Sequence, residues 1–212
     1  MRHALILAAL VLLAITLPAG ADTIFNLDSP TGNLGSSHTY TVNGFSLVAY
    51  AEKIGSALQP SLVGVNSGNP DESGLGLTCA TCPGDDEIQS YNYVQVDFAN
   101  PQANGVTGAQ FVIGSVQTNP QEGWAIYGSN TLGSIGTDLL NSTADQTLTS
   151  IPSAAFSTYR YFSITATAYD VFLSEINLKG GTSGVPEPGT FLLVGLVLVG
   201  AGTAKYRARK PC

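Results

Sequence analysis

The stretch 39-TYTVNGFSLVAYA-51 contains two strand-like segments on either side of one tight turn. Asn43-Gly44 is a dipeptide that two-residue hairpin loops strongly favour. Both flanking segments are rich in the β-branched and aromatic residues that are typical of strands. The stretch therefore predicts a β-hairpin.

Residues 93–98, YVQVDF, have the alternating pattern of side chains that is typical of a strand with one buried face. Val94, Val96 and Phe98 would lie on one face of a half-buried strand, and Tyr93, Gln95 and Asp97 on the other. Other short segments of strand-like composition follow, bounded by Gly, Pro, Asn or Ser: GAQFVIGSVQ, GWAIYGS, YRYFSITATA and DVFLSEINL. Some are continuous apolar runs, as expected of strands packed between layers.

About eight such strands predict an all-β fold, an antiparallel β-sandwich or jelly roll, with a barrel of similar strand count as the alternative. A short helix is expected only within residues 131–148. We expect one domain over residues 22–178, followed by a flexible linker over residues 179–184 with the composition KGGTSG.

The charge of the chain limits the classes of partner that it can bind. Charged residues make up 11% of the 212 residues. Residues 22–184 contain three basic residues and fourteen of the fifteen acidic residues, a net charge of −11. Such a surface repels phosphate backbones, which excludes nucleic acid as a partner and leaves neutral sugars, cations or other proteins.

Residues 1–21 have the organisation of a signal peptide. Arg2 and His3 precede an apolar run over residues 4–17, and Ala19-Gly20-Ala21 supplies the small residues of a cleavage site. Cleavage after Ala21 would leave an exported protein. A buried N-terminal helix is the alternative interpretation.

Cys79 and Cys82 have the spacing C-x-x-C. In an exported protein this spacing favours a local disulfide, whereas a redox or zinc role would need a helix N-terminus or further ligands. The loop acids Asp71-Glu72 and Asp85-Asp86-Glu87 are candidate calcium ligands, with solvated surface charge as the alternative. Calcium is the one cofactor the sequence suggests.

Candidate residues for other chemistry are few. His38 is the sole histidine beyond the signal peptide, and its setting favours a surface or hydrogen-bonded residue. No catalytic motif is recognisable, so we expect a protein that is not an enzyme. Trp124 is a candidate sugar-stacking residue, as is the cluster Tyr159, Tyr161 and Phe162, with core packing as the alternative for each.

The C-terminal residues 185–212 have the sequence VPEPGTFLLVGLVLVGAGTAKYRARKPC. This sequence predicts a short membrane span between a Pro-Glu-Pro triplet and a basic tail. The apolar run over residues 190–204 is marginal for a transmembrane helix, and basic side chains that snorkel would extend it. The basic stop residues that follow it stay cytoplasmic by the positive-inside rule, with the domain outside. They are Lys205, Arg207, Arg209 and Lys210.

This arrangement resembles the PEP-CTERM sorting signal of bacterial exported proteins. The resemblance implies recognition of Pro186, Glu187 and Pro188 by an exosortase, a membrane-embedded cysteine protease-transpeptidase. It also implies an inner-membrane intermediate whose span is transient, and then a place at the cell surface or outside the cell. The family is associated with bacteria that make exopolysaccharide, biofilm or floc.

The domain itself resembles jelly-roll domains of the galactose-binding-like type, over about residues 74–178. GLGLTC, DDEIQSYNYVQVDFANP, WAIYGS and YRYFSITATAYDVFLSEINL carry this resemblance. Three functions are then open. They are a non-enzymatic surface or matrix protein, a lectin-like carbohydrate-binding module, and a hydrolase of matrix polysaccharide.

Overall fold

A computed structural model of the chain describes residues 22–78 and 86–181. These residues form fourteen strands and two short helices, which are numbered here in chain order. The strands are β1 (Thr23–Asn26), β2 (Gly32–Gly35), β3 (Ser37–Val42), β4 (Phe45–Lys53), β5 (Leu62–Asn66), β6 (Ser73–Leu77), β7 (Ile88–Gln89), β8 (Asn92–Asp97), β9 (Val106–Gly114), β10 (Gly123–Ser129), β11 (Thr137–Ser142), β12 (Thr149–Ser150), β13 (Tyr161–Ala168) and β14 (Asp170–Gly180). The helices are α1 (Ala99–Ala103) and α2 (Ser153–Thr158).

The strands form two antiparallel sheets, which is consistent with the predicted β-sandwich. One sheet has six strands in the order β11-β10-β13-β8-β4-β3. The other has the order β12-β9-β14-β6-β5-β2, and β1 and β7 also pair with the long strand β14. Within residues 22–78 and 86–181 no helix is long and apolar enough to cross a membrane.

The predicted hairpin is confirmed. Asn43 and Gly44 have φ angles of 52° and 84°, so both central residues of the turn are left-handed, as a type I′ turn requires. Pairing runs from Val42 opposite Phe45 to Ser37 opposite Tyr50. Because the side chains of a strand alternate, this register sends Phe45, Leu47, Ala49 and Ala51 into the core.

One hydrophobic core lies between the sheets. Phe98 is fully buried at the end of β8, and its ring centroid lies 5.3 Å from that of Phe162 and 5.6 Å from that of Phe156 on α2. Phe111 on β9 of the other sheet lies 6.0 Å from Phe98. These tilted and edge-to-face contacts are the arrangements that aromatic pairs prefer, and they join the two sheets.

Three local predictions were wrong. Residues 131–148 contain no helix; they form a loop, the edge strand β11 and a second loop. Strand β8 is buried on both faces, not one. Strand β14 extends to Gly180, so the first two residues of the predicted linker belong to the sheet.

Several predictions fall on residues outside the described ranges. They are the signal peptide over residues 1–21 with its cleavage site, the Cys79–Cys82 disulfide, the candidate ligand Asp85, and the sorting signal over residues 185–212.

Candidate functional site

The six-stranded sheet has an outer face that points away from the core. On β4 the core residues alternate with Ser46, Val48, Tyr50 and Glu52, which are all partly exposed. On β8, β13 and β10 the residues in register with these are Gln95, Ser163 and Tyr127. The outer face therefore carries polar and aromatic side chains across adjacent strands.

A loop covers the middle of this face. Residues 130–136, here called the strap, connect β10 to β11 and reach as far as β4. A Cβ on Gly133 would lie 3.7 Å from Oε2 of Glu52. Beneath the strap, Tyr93, Gln95 and Ser163 are at most 1% exposed although they face outward. The strap therefore explains why both faces of β8 are buried.

Gln95 holds the strap in place. Its Oε1 accepts a hydrogen bond from the Gly133 backbone N–H at 2.8 Å, and its Nε2 donates to the Ser134 carbonyl at 2.9 Å. The same Nε2 donates to Ser163 Oγ at 3.0 Å. One buried amide thus pairs with two backbone groups of the strap and with β13, and its burial leaves no polar atom of the amide unpaired.

A second cluster lies on the same face, beside the strap. Arg160 donates from Nε to Asp97 Oδ1 at 2.9 Å and from Nη2 to Asp97 Oδ2 at 2.6 Å. Its guanidinium carbon lies 4.8 Å from the ring centroid of Tyr161. The Asp97 side chain is 9% exposed, whereas that of Arg160 is 50% exposed. The bidentate pair fixes a charged, planar group at the surface.

Tyr50 completes this cluster. It pairs with Gln95 across β4 and β8, and Asp97 lies two residues further along β8. Burial raises the pKa of the Tyr50 hydroxyl, the charges of Asp97 and Tyr161 raise it further, and the Arg160 charge opposes them. Burial and the charge of Glu52 raise the pKa of Tyr93 to about 12. Both tyrosines therefore stay neutral hydrogen-bonding groups at physiological pH.

Carboxylates gather at another place, where three loops meet β9 and β10. Three consecutive backbone N–H groups each donate to a different carboxylate. Ser115 donates to Asp71 at 3.2 Å, Val116 to Asp145 at 3.3 Å and Gln117 to Glu122 at 2.6 Å. We call Asp71, Glu72, Glu122 and Asp145 the acidic end.

The acidic end is crowded with negative charge. Burial raises the pKa of Glu122, and the charges of Asp170, Glu72 and Asp145 add to this rise, while the hydrogen bond from Gln117 opposes it. Burial also raises the pKa of Asp145, helped by the charge of Asp71 and a side-chain hydrogen bond with it. These groups consequently favour protonation more than an exposed carboxyl does.

The structure separates the candidate calcium ligands from one another. Asp71 and Glu72 belong to the acidic end, where they bind Ser115. Asp86 and Glu87 precede β7, and Asp85 lies outside the described residues. Within residues 22–78 and 86–181 no group of three or more His, Cys, Asp or Glu side chains could hold a metal ion.

The prediction of sugar stacking by Trp124 was wrong. Its indole is fully buried in the core, and Nε1 donates to the Ala144 carbonyl at 2.8 Å. Phe162 is also fully buried, Tyr161 is 7% exposed beneath Arg160, and Tyr159 is partly buried against the core. His38 is partly exposed, and its ring makes an edge contact with Tyr40 at 4.8 Å.

Sequence reasoning missed both the strap and the acidic end. The strap sequence has no periodicity, and the acidic end joins residues from three segments far apart in the chain. The outward position of Tyr50 had a signal, because it follows from the alternation of β4 once the hairpin register is known.

The comparisons with known proteins identify the C-terminal segment. Residues 184–210 match the family model described as the PEP-CTERM protein-sorting motif. No curated protein and no solved structure matches the chain. The motif indicates exosortase-dependent sorting of an exported protein, with a membrane-anchored intermediate that is processed towards the cell surface.

Proposed function

We propose that this chain is a non-enzymatic protein of the cell surface or extracellular matrix, which an exosortase delivers and which acts in association with exopolysaccharide. The observation that carries the proposal is the sorting-motif match over residues 184–210. The signal-peptide pattern over residues 1–21 supports it. In such a chain the N-terminal segment directs export, and the C-terminal segment is where the exported protein is processed.

The charge of the β-sandwich supports the association with polysaccharide. With a net charge of −11 over residues 22–184, the exported part repels polyanions and stays soluble among neutral polymers. In this proposal Pro186, Glu187 and Pro188 are the recognition residues, the apolar segment is a transient anchor, and Lys205, Arg207, Arg209 and Lys210 keep the tail on the cytoplasmic side.

The experiment compares the C-terminus of the chain in cells with and without an exosortase. Mass spectrometry of the surface and medium fractions should show that the chain has lost residues after the Pro-Glu-Pro triplet. In cells without the enzyme the intact chain should stay in the membrane fraction. In cells that contain the exosortase, the triple variant Pro186→Ala, Glu187→Ala, Pro188→Ala should keep its tail and stay in the membrane fraction. It should thus match the wild-type chain expressed without the enzyme.

A matched control carries Thr182→Ala and Ser183→Ala, which lie just outside the matched residues. This control should be processed normally. An intact tail on wild-type chain in exosortase-containing cells, or normal processing of the triple variant, would contradict the proposal.

A further inference from the structure

We propose that Tyr50, Asp97, Arg160 and Tyr161 form a binding site for neutral polysaccharide on the outer face of the six-stranded sheet. We call these four residues the Tyr50 site. The inference rests on the proposed function, since a glycan partner is expected of a protein placed among exopolysaccharides, and it names the residues and the ligand class.

The Tyr50 site is preorganised before any ligand arrives. The two hydrogen bonds between Arg160 and Asp97 fix the guanidinium plane, and the ring of Tyr161 lies 4.8 Å beneath it. Asp97 is held further, because its Oδ1 accepts a hydrogen bond from the Ala99 backbone N–H at 2.8 Å. A group that is already fixed loses little conformational entropy on binding.

Arg160 keeps hydrogen-bond donors for a ligand. Guanidinium has five N–H groups. The pair with Asp97 engages Nε and Nη2, and among the described residues Nη1 has no hydrogen-bond partner. Because half of the side chain is exposed, these donors are available to hydroxyl and ring oxygens from outside the protein.

Tyr50 supplies the apolar surface that a saccharide also needs. Its ring is partly exposed beside the strap, whereas its cross-strand neighbour Gln95 is fully covered. A tyrosine ring offers a flat apolar area and a hydroxyl together. A sugar ring has an apolar C–H face and a polar rim, so it matches this pair of properties. Hydroxyls of the partly or fully exposed Ser37, Thr39 and Ser46 lie on the same face of β3 and β4.

The charge of the site selects for a neutral ligand. Asp97 neutralises Arg160, and the domain around them is strongly acidic. An anionic glycan would be repelled by the domain without gaining a free cation at the site. A neutral polysaccharide meets no such penalty.

The test uses the purified full chain in detergent, without processing by an exosortase, so that a failure of binding is distinct from a failure of sorting. Affinity gel electrophoresis measures retardation by three neutral probes, hydroxyethyl cellulose, dextran and galactomannan, and by anionic polygalacturonate. We expect retardation by at least one neutral probe and none by polygalacturonate. Tyr50→Ala should weaken the affinity about tenfold or more, because it removes the stacking surface.

Two variants make the result specific. Tyr169→Ala, which removes an exposed tyrosine at the turn between β13 and β14, should bind as the wild type does. Tyr50→Phe keeps the ring and should retain most of the affinity. Emission of the single, buried Trp124 confirms that each variant is folded. Retardation by none of the neutral probes, or equal affinity of Tyr50→Ala and wild type, would overturn the proposal.

Discussion

Trp124 is a core residue with a polar anchor. Its indole is completely buried between the sheets, and its one N–H donates to the Ala144 carbonyl in the loop after β11. A tryptophan on a strand can stack on a ligand or pack in a core, and the local sequence does not separate the two. The register of β10 places Trp124 in the core, because it directs the side chain inward together with that of Ile126.

Replacing Trp124 by Phe should therefore destabilise the fold rather than a binding site. The change leaves part of the indole volume empty. It also removes the indole N–H that donates to the Ala144 carbonyl. We expect the free energy of unfolding to fall by about 2 kcal/mol or more. Urea unfolding of the full chain, followed by far-UV circular dichroism, measures this loss.

Tyr127→Phe is the control on the same strand, because Tyr127 is partly exposed on the outer face. It should change the stability by less than about 0.5 kcal/mol. If Trp124→Phe proved as mild as this control, the indole would not be part of the core.

At the level of elements, one side chain ties the middle of the strap to the sheet. Gln95 accepts from Gly133 and donates to Ser134, and both contacts join residues more than thirty-five positions apart in the chain. The strap is otherwise exposed on its outer side. Further hydrogen bonds hold its first residues, since Asn130 pairs with Thr158 and Arg160, and Thr131 with Ser129. At its centre the strap is held by the Gln95 amide.

Gln95→Ala should release the strap without dismantling the sheet. The backbone groups of Gly133 and Ser134 lose their partner and turn to water, at a cost of about 1–3 kcal/mol in stability. Hydrogen exchange of the Gly133 amide should become much faster, while amides of β8 and β13 stay protected. Gln110→Ala, which removes a hydrogen bond to Ser150 at the sheet edge, is the control and should leave Gly133 protected. Unchanged exchange at Gly133 in the Gln95 variant would show that other contacts hold the strap.

The difference between the hairpin and the strap shows what a sequence encodes locally. Asn43-Gly44 sets the turn, and alternation then sets which residues of β4 face the core, so that part of the fold could be predicted. The strap could not be predicted, because Gln95 and Gly133 meet only after the sheet has formed. The same holds for the Tyr50 site, where Asp97 ends β8 and Arg160 lies just before β13, and for the acidic end. The sorting motif was predictable because it is a continuous segment that is recognised as a sequence.

At the scale of the whole molecule, negative charge is both abundant and unevenly placed. The acidic end brings Asp71, Glu72, Glu122 and Asp145 together, with Asp170 near enough to raise the pKa of Glu122. The two ion pairs of the described residues, Arg160–Asp97 and Lys179–Asp22, both lie elsewhere. In the described part of the chain, the charge of the acidic end is therefore offset by backbone N–H groups rather than by cations.

This arrangement predicts a fold that gains stability in mild acid. Burial and neighbouring carboxylates raise the pKa of Asp145 and Glu122 in the folded chain above the values they have when unfolded. The folded state therefore holds protons up to a higher pH than the unfolded state does. The free energy of unfolding should rise as the pH falls from neutrality towards the unfolded-state pKa of these groups, and fall again only below it as other carboxylates are protonated.

Thermal unfolding of the full chain at about pH 7.5 and about pH 5 checks this sign, with a higher Tm expected at the lower pH. Asp145→Asn should raise the Tm at the higher pH and shrink the difference between the two, because an amide keeps an acceptor for Val116 but carries no charge beside Asp71. Asp138→Asn, an exposed change on β11, should leave the difference as it is in the wild type. A Tm that drops on going to the lower pH, or an undiminished difference in Asp145→Asn, would mean that the general charge of the domain, rather than the acidic end, governs its response to pH.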